Sequence, residues 1–337
     1  MLLCGSYPKL PDMNITFEDA LKSINENIKG FHYPKAPAGL YRPIHYMLSL
    51  KGKKIRPALT LLAYSLYKDE VSLAIYTALA WEIFHNFTLM HDDVMDNAII
   101  RRGQPTVHKV WNENTAILSG DSMLIIAYQT MMKSPSKYVN SLLSLFSTTA
   151  IEVCEGQQYD MEFENRTDVT EEEYLEMIRL KTAVLLGACL KSGGIIGDAD
   201  AKDAQSLYDF GVNLGLAFQI KDDLLDIYGD PQVFGKATGG DILCNKKTYF
   251  LINALRLSSE EDRIILLKWL NQTEYDPNEK IRAITGIYDK YALKKNAEKI
   301  MDKFYQQAMH ALKAVCVPEE KKAVLYSFSE HLMKRDA

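Results

Sequence analysis

Two clusters of aspartates are the residues whose type and spacing most directly suggest chemistry. Asp92, Asp93 and Asp96 form the first cluster, and the same spacing recurs later in the chain at Asp222, Asp223 and Asp226. On a helix, residues four positions apart share a face, where like charges repel each other and favour a nearby cation. Oxygen ligands on a rigid helix suit Mg²⁺, which keeps several waters and often shares phosphate oxygens with a substrate.

The places of the two clusters in the chain strengthen this interpretation. A single acidic cluster is more often a solvated helix end, but each of these follows an apolar helical segment. Two carboxylate clusters at the ends of two core helices can face each other across a bundle cavity and hold several Mg²⁺ ions on a diphosphate. The pair is therefore far more specific than either cluster alone.

Basic residues flank both clusters. A guanidinium group binds phosphate bidentately, whereas a lysine acts as a point charge. We interpret Arg101 and Arg102, which follow the first cluster, as phosphate ligands, and Lys54 and Lys247 as solvated surface charges. The other basic residues near the clusters are Lys53, Arg56, Lys236 and Lys246.

The elements that position these residues are predicted to be helices almost throughout. The stretch 71–96 has no Gly or Pro and is apolar nearly all round, which predicts a buried helix. Further long helices are predicted over 141–164, 171–190 and 202–228. No alternating pattern predicts a strand, and Gly and Pro mark loops at 30–43, 101–105, 133–136, 192–198 and 229–240. The sequence thus predicts an all-α fold of ten or more helices in one domain, 1–337.

Composition bounds the class of protein. The chain has 337 residues, 47% of them apolar, with 39 basic and 44 acidic side chains and a net charge of −5. No basic block favours nucleic acid or an anionic membrane surface. Five scattered cysteines indicate a reducing compartment, and neither a signal peptide nor an apolar run of membrane-spanning length is seen. We therefore expect a cytoplasmic protein.

The order and spacing of these residues resemble the motifs of the trans-prenyl (polyprenyl) diphosphate synthase family, short-chain type, such as farnesyl and geranylgeranyl diphosphate synthases. The similarity runs from about residue 40 to 250, and beyond it only the helical character matches. Lys51 stands where the family usually has Gly, and Lys54 where it often has Arg. The matching segments are 51–57, 91–96 with 101–103, Gly156-Gln157 with Asp160, Lys181-Thr182, 218–226, and 235–246.

The resemblance implies a single-domain helical bundle around a central cavity, the type I isoprenoid synthase fold, and a homodimer. It implies a Mg²⁺-dependent prenyltransferase that condenses isopentenyl diphosphate head-to-tail with an allylic diphosphate (dimethylallyl, geranyl or farnesyl). The product would be a short all-trans chain, C15–C20, with release of diphosphate. Three Mg²⁺ ions would serve the reaction, and Mn²⁺ could replace them.

The family's functional residues map onto positions of this chain. Two Mg²⁺ ions would be held by Asp92, Asp96 and Asp160, and a third by Asp222, with Asp93, Asp223 and Asp226 in support. The allylic diphosphate would be bound by Arg101, Lys181, Lys236 and Lys246, and isopentenyl diphosphate by Lys53, Arg56, His85 and Arg102. Oxygen dipoles near the developing carbocation would come from Thr182 and Gln219.

Histidines are not expected to act as general bases, because in the family the departing diphosphate takes the proton. His85 has the binding role given above. We interpret His91 and His108 as residues that pack or make structural hydrogen bonds.

Residues that set product length are expected on the helix of the first cluster. Phe87 lies about 7.5 Å before Asp92 along the helix axis and Phe84 about 12 Å, at ~1.5 Å per residue. In the family an aromatic at the Phe87 position closes the pocket early. The absence of an insertion within Asp92–Asp96, combined with a single aromatic at that site, slightly favours C20 by resemblance, whereas Phe84 favours C15. A helical wheel places Thr88 and Phe84 nearer the aspartate direction than Phe87, so core packing of both rings stays the alternative.

Other functions of the same fold stay open. A longer-chain polyprenyl diphosphate synthase is one alternative. A terpene cyclase normally has Asn, Ser or Thr with Glu in its second metal motif, and the second run of aspartates argues against it. A non-catalytic partner subunit would be expected to lack aspartates, and none is missing here.

Overall fold

Helices make up nearly all regular structure in the computed structural model, which describes residues 15–31, 34, 36–229 and 238–334. The chain divides into two compact units. The first comprises Met1–Asn140, Ser192–Ala199 and Val317–Val324, and the second comprises Ser141–Lys191, Asp200–Cys316 and Leu325–Ala337. The predicted all-α class is confirmed, and the single domain stays a prediction. Across the described ranges, none of the helices combines the length and apolarity needed to span a membrane.

The first unit is built around one buried helix, as the apolar stretch predicted. Its helices are α1 (Phe17–Lys29), α2 (Ala38–Ser49), α3 (Ile55–Ser65), α4 (Ile75–Met95), α5 (Val107–Val110) and α6 (Glu113–Met131), with a 3₁₀ turn at Val71–Ala74. α4 packs against α3 and α6, α2 packs against α6, and α1 packs against α3. Because α4 is apolar nearly all round, neighbours cover it on several sides. The first aspartate cluster therefore lies at the end of a rigid support.

A short hairpin follows α4 where a loop was predicted. β1 (Ile100–Arg101) pairs antiparallel with β2 (Gln104–Pro105). Arg102 and Gly103 between them have φ of 54° and 76°, a backbone typical of two-residue hairpin turns. Strands of two residues are too short to show an alternating pattern, so they could not be predicted from the sequence. The hairpin turns Arg101 and Arg102 back toward α4.

The remaining helices belong wholly or mainly to the second unit. They are α7 (Ser136–Glu164), α8 (Glu171–Ile178), α9 (Val184–Ile196), α10 (Ala201–Tyr228), α11 (Gly240–Leu243), α12 (Tyr249–Leu257), α13 (Glu260–Asn271), α14 (Pro277–Lys290), α15 (Leu293–Ala314) and α16 (Glu319–Met333). α10 packs along α15 and also contacts the segment between α8 and α9. The hydrophobic core of the second unit includes Tyr174, Ile220, Phe250 and Tyr288. The second aspartate cluster thus also lies on a helix buried among others.

The helix predicted over 171–190 differs from the observed one in two ways. A π-helical turn, Arg179–Ala183, joins α8 to α9, and α9 continues to Ile196 through a predicted loop. That loop was predicted because of Gly193 and its neighbours. In the structure Gly193 lies against the Thr60 carbonyl, where no side chain fits, and the Trp81 indole donates to Ser192 Oγ at 2.9 Å. The glycine serves close helix packing rather than a turn.

Candidate active site

The first aspartate cluster divides its carboxylates between two environments. Asp93 is buried in the last turn of α4, Asp92 is half-buried, and Asp96, just past the helix end, is exposed. Asp93 Oδ1 accepts a 2.8 Å hydrogen bond from Arg101 Nε and lies 2.5 Å from Arg101 Nη2. That Nη2 is also 3.3 Å from Asp92 Oδ2. Arg101 is therefore a cation that offsets carboxylate repulsion at the negative end of the helix.

The charges of this pair depend on both burial and contact. Burial raises the pKa of Asp93, although the hydrogen bond and charge of Arg101 act in the opposite direction. Burial acts to lower the pKa of Arg101, but the hydrogen bond and charge of Asp93 raise it overall. The guanidinium therefore stays charged beside the cluster.

The second aspartate cluster repeats this division. Asp223 is buried in α10, whereas Asp222 and Asp226 are half-buried. Asp223 Oδ2 accepts hydrogen bonds from the Tyr174 hydroxyl at 2.5 Å and from the Tyr249 backbone N–H at 3.2 Å. Burial raises the pKa of Asp223 to about 7, against the opposing effect of the Tyr174 hydrogen bond. In both clusters the middle aspartate is held inside the protein, and the outer two reach its surface.

The last aspartate of the second cluster also holds the chain that follows. Asp226 Oδ2 accepts a hydrogen bond from the Asp241 backbone N–H at 2.9 Å, and the Asp226 carbonyl accepts one from Gly239 at 2.6 Å. Lys246 Nζ lies 3.8 Å from Asp241 Oδ1. These contacts bring the predicted diphosphate ligand Lys246 toward the cluster. Lys236, predicted to assist it, lies outside the described residues.

Lys181 and Asp160, predicted to bind substrate and metal, form an ion pair with each other. Lys181 Nζ donates to Asp160 Oδ2 at 2.6 Å, and both side chains are partly exposed. Lys181 and Thr182 belong to the π turn, a kind of distortion frequently found at functional sites. Gln219 Nε2 makes a long 3.4 Å contact to Asp223 Oδ1. In the second unit, contacts to carboxylates therefore orient both the Lys181 ammonium group and the Gln219 amide.

Tyr174 indicates that these residues of the second unit converge. Burial raises the pKa of Tyr174 well above its usual value, and so do the nearby charges of Asp223, Asp241 and Asp160. Asp160 comes from α7, Asp223 from α10, and Asp241 from α11. Three helices thus bring carboxylates around one buried hydroxyl. Tyr174 was not predicted as a site residue, and its place before the Lys181 segment gave no chemical signal.

A basic group in the first unit collects residues predicted to bind isopentenyl diphosphate. Arg56 Nη1 lies 3.0 Å from His85 Nε2, while Arg102 projects from the hairpin toward α4. Burial, and then the charges of Arg56 and Arg102, lower the pKa of His85 well below its usual value. The imidazole is therefore neutral and accepts from Arg56. Lys53, three positions before Arg56, is exposed.

Two residues that contact the basic group, Glu82 and Asn86, were not predicted. Asn86 Nδ2 donates to Glu82 Oε1 at 2.9 Å, and Asn86 Oδ1 accepts from Arg102 Nη1 at 3.3 Å. Glu82 is buried, and burial raises its pKa although Asn86, Arg102 and Lys54 act in the opposite direction. Glu82 thus orients the amide that holds Arg102. A carboxylate and an amide four positions apart among the buried residues of α4 were the signal for them.

The two lysines interpreted as solvated surface charges are both less exposed than that interpretation requires. Lys247 is only 9% exposed, and its Nζ donates to the Glu164 carbonyl at 3.2 Å, so that prediction was wrong. Lys54 is half-buried, and burial lowers its pKa. A lysine can bury its aliphatic stem and still bring its ammonium group to a polar partner, which composition alone does not reveal.

The structural interpretation of the histidines agrees with their surroundings. His91 Nε2 lies 3.0 Å from the Ile117 carbonyl, and the His91 ring is 4.8 Å from that of Phe87. His108 is 6% exposed and packs in the first unit. The hydrogen-bonding role predicted for His91 is confirmed.

The residues predicted to set product length lie on α4. Phe84 is fully buried and Phe87 is 9% exposed, with ring centroids 5.7 Å apart. Phe84 also contacts the Trp81 ring at 6.2 Å. Thr88 is half-buried, and its hydroxyl donates to the His85 carbonyl at 2.8 Å. The two rings suit either a pocket floor or ordinary core, and their role stays a prediction.

The carboxylates fit Mg²⁺ better than a metal bound by protein alone. Within the ranges that the structure describes, no group of three or more His, Cys, Asp or Glu side chains is arranged to hold a metal ion. Asp93 Oδ2 is buried without a hydrogen-bond partner among the described residues. Mg²⁺ typically takes one or two carboxylates and completes its shell with water and phosphate oxygens. The outer aspartates, which reach the surface, suit that arrangement.

Comparison with known proteins places this site in a family. The polyprenyl synthetase family model matches residues 37–287. A short chain isoprenyl diphosphate synthase of Methanocaldococcus jannaschii is 40% identical over 79% of this chain and 81% of that protein. A geranylgeranyl diphosphate synthase of Sulfolobus acidocaldarius is 36% identical over 89% of this chain and 91% of that protein. A crystal structure of geranylgeranyl pyrophosphate synthase matches with a TM-score of 0.90 and 42% identity, covering 96% of this chain and all of that one.

Proposed function

The chain belongs to the polyprenyl synthetase family, and from this premise we propose that it is a short-chain trans-prenyltransferase. It condenses isopentenyl diphosphate with dimethylallyl, geranyl or farnesyl diphosphate. The allylic C–O bond breaks, the double bond of isopentenyl diphosphate forms the new C–C bond, and a proton passes to the departing diphosphate. The product is an all-trans chain of C15–C20.

The observation that carries this proposal is the common division within the two aspartate clusters. Asp93 and Asp223 are buried and hydrogen-bonded, and each lies between two aspartates that reach the surface. A purely structural acidic helix end gives no reason for the same arrangement to occur twice. Outward carboxylates backed by a fixed one suit ligands that need a defined orientation.

The aspartates are proposed to hold three Mg²⁺ ions, which Mn²⁺ can replace. When bound, such ions neutralise the charge that develops on the leaving diphosphate. Two would be held by Asp92, Asp96 and Asp160, and the third by Asp222. Asp93, Asp223 and Asp226 act in support, and their contacts to Arg101, Tyr174 and Asp241 agree with that role.

The basic residues are proposed to bind two different diphosphates. Arg101, Lys181 and Lys246, with Lys236, bind the allylic diphosphate. Lys53, Arg56, His85 and Arg102 bind isopentenyl diphosphate, and the neutral His85 serves as a hydrogen-bonding group rather than a charge. Fixed donors aimed at developing charge stabilise a transition state because they need no reorganisation.

The carbocation needs protection as well as stabilisation. Thr182 and Gln219 are proposed to direct oxygen dipoles at it, and the contact of Gln219 Nε2 with Asp223 supports an amide turned in one direction. Apolar side chains exclude the water that would otherwise quench the cation. No protein base is required in this scheme.

The proposal extends to assembly and location. The enzyme acts as one catalytic domain and as a homodimer, supported by the exposed apolar side chains Leu118 and Ile125 on α6 and Met132 directly after its last residue. It works in the cytoplasm, supported by the free thiols of Cys154, Cys189, Cys244 and Cys316.

Mass spectrometry of products from purified protein, Mg²⁺ and the two C5 diphosphates tests the proposal. We expect C15 or C20 prenyl diphosphate; a cyclic hydrocarbon or a long polyprenyl chain would place the protein in one of the alternative classes. Asp92→Ala should abolish most turnover, whereas Asp226→Ala should cost less, roughly 10–100-fold, because it acts through its neighbours. Near-normal turnover of Asp92→Ala with Mg²⁺ would refute the metal assignment.

A further inference from the structure

The π turn that carries Lys181 is in close contact with two helices. A Cβ atom at Gly156 of α7 would lie 2.6 Å from Lys181 Cα and 2.7 Å from the Leu180 carbonyl carbon. A Cβ atom at Gly215 of α10 would lie 2.8 Å from Ala183 Cα and 2.9 Å from Ala183 Cβ. Real Cβ atoms essentially never come within 3.0 Å of such atoms. Glycine therefore allows both helix backbones to rest directly on the turn.

Each of these glycines shares a helix face with a residue of the proposed site. Gly156 precedes Asp160 by four positions, and Gly215 precedes Gln219 by four. Residues at that spacing lie one above the other on a helix. Asp160 accepts the 2.6 Å hydrogen bond of Lys181 Nζ, so the depth at which α7 rests on the turn sets that ion pair. In the same way, the approach of α10 sets where Gln219 lies relative to the turn.

A π turn has more need of such support than an α-helix. Its backbone departs from the regular ladder and tends to be retained where function benefits from it. Here the turn is covered by backbone on the Gly156 side, where a new methyl group would meet atoms that cannot rotate away. The position of Lys181 and Thr182 then depends on those helices and not only on the turn itself.

We propose that Gly156 and Gly215 are positioning residues for prenyl transfer: by letting α7 and α10 rest on the π turn, they set the places of Lys181 and Thr182. The inference rests on the proposed function. A change of Gly to Ala within a helix ordinarily stabilises the helix, whereas at these two positions it should impair the enzyme.

The test compares three glycine-to-alanine variants. Gly286→Ala is the matched control, because Gly286 lies in α14 of the same unit and a Cβ there meets nothing within 4 Å. We expect Gly286→Ala to keep wild-type kcat and KM. Gly156→Ala and Gly215→Ala should lower kcat/KM for the allylic substrate at least ~10-fold and leave the KM for isopentenyl diphosphate within about twofold. A general loss of folded protein would instead change the kinetic constants for both substrates together.

Two further measurements separate positioning from simple damage. In a double-mutant cycle, Gly156→Ala should cost little once Lys181→Ala is present, because both act through one side chain. The swap that combines Gly215→Ala with Ala183→Gly removes the 2.9 Å overlap with Ala183 Cβ but leaves the 2.8 Å approach to Ala183 Cα, so kcat/KM for the allylic substrate should be restored in part. If Gly156→Ala does not fold, Gly215→Ala and its swap decide the question.

Amide hydrogen exchange gives a readout that does not depend on turnover. Amides 179–183 should exchange faster in Gly156→Ala than in Gly286→Ala. If Gly156→Ala and Gly215→Ala are as active as the control and their amide exchange is unchanged, the positioning role alone is overturned. A wild-type protein without prenyl transfer would instead overturn the proposed function on which it rests.

Discussion

Asp93 and Asp223 hold equivalent places in the two motifs, and each is turned toward a partner inside the protein. Asp93 meets a guanidinium group, Arg101, whereas Asp223 meets the Tyr174 hydroxyl and a backbone N–H. A buried carboxylate is costly unless it is hydrogen-bonded, and a charged partner supports ionisation better than a phenol does. The two middle aspartates are therefore both buried, and burial raises the pKa of each, but their hydrogen-bond partners differ in charge.

Asp223 should make the stability of the metal-free protein depend on pH. Burial raises its pKa to about 7, above the value of an unfolded chain, ~3.9. Between these values the folded state holds a proton that the unfolded state has released, so stability falls as pH rises through that window. Asp223→Asn should flatten this slope and melt higher than wild type at pH 8. Thermal unfolding from pH 4 to 8 without Mg²⁺ measures it; parallel curves would contradict the assignment.

Arg101 and Arg102 are neighbours in sequence but differ in their contacts. Arg101 pairs with the aspartate cluster, and Arg102 with Asn86. Arg102→Ala should raise the KM for isopentenyl diphosphate more than that for the allylic substrate, and Arg101→Ala should do the reverse. Each loses a charge-assisted contact of ~1.5–3 kcal/mol, roughly 10- to 100-fold.

Steady-state kinetics with each substrate varied in turn measure this division of labour between the two arginines. Arg282→Ala, which removes an exposed charge from α14, is the control for net charge. Equal effects of Arg101→Ala and Arg102→Ala on both substrates would refute it.

At the scale of the element, α4 combines separate tasks along one buried helix. The aspartates lie at its C-terminal end, Glu82 and Asn86 hold Arg102 from its middle, and Phe84 and Phe87 pack together nearby. An α-helix keeps such groups at constant spacing because its rise per residue is nearly invariant. A change at one level of α4 should therefore leave the chemistry at another level intact.

Phe87→Ala should lengthen the product by one or more isoprene units if the ring forms the pocket floor. The diphosphate chemistry lies about 7.5 Å away along the axis and should persist. If the ring is ordinary core, the change should instead cost ~3–5 kcal/mol of stability with unchanged products. Mass spectrometry of products together with thermal unfolding separates the two. Longer products from Phe84→Ala but not from Phe87→Ala would place the floor one turn deeper.

At the scale of the whole molecule, α6 bears a row of apolar side chains exposed to solvent. Leu118, Ile125 and Met132 recur every seven residues and are 60%, 57% and 59% exposed. Seven residues make two helical turns, so the three lie in one line along the helix. Exposed apolar side chains that repeat along one helix face are typical of an interaction surface, which is why they support a homodimer.

Ile125→Glu should weaken the homodimer, because a charge would be buried at its apolar contact. Ile264→Glu is the matched control: Ile264 is 61% exposed on α13, a helix of the second unit. Sedimentation equilibrium should show dimer for wild type and Ile264→Glu, and monomer for Ile125→Glu. Dimerisation of all three alike would remove α6 from the interface.

The sequence by itself determined the helical class and the identity of most candidate site residues. Helical periodicity and the spacing of Asp92 with Asp96, or Asp222 with Asp226, are local properties, readable within a few turns. Gly and Pro marked the break at 133–136 correctly, but the loops predicted at 30–43 and 192–198 are partly helical, in Ala38–Ser49 and Val184–Ile196, and most of the loop predicted at 229–240 lies outside the described residues. A glycine that serves packing, such as Gly193, looks the same in sequence as one that serves a turn.

Only the tertiary structure decided which of these residues are buried and what each one meets. The burial of Asp93, Asp223 and Lys247, and the contact of Asn86 with Arg102, depend on groups that come from other elements of the fold. So does the resting of Gly156 on the π turn, which no local pattern indicates. Periodicity states which residues share a face, but the partner of that face is chosen by packing among helices, where burial and shape decide.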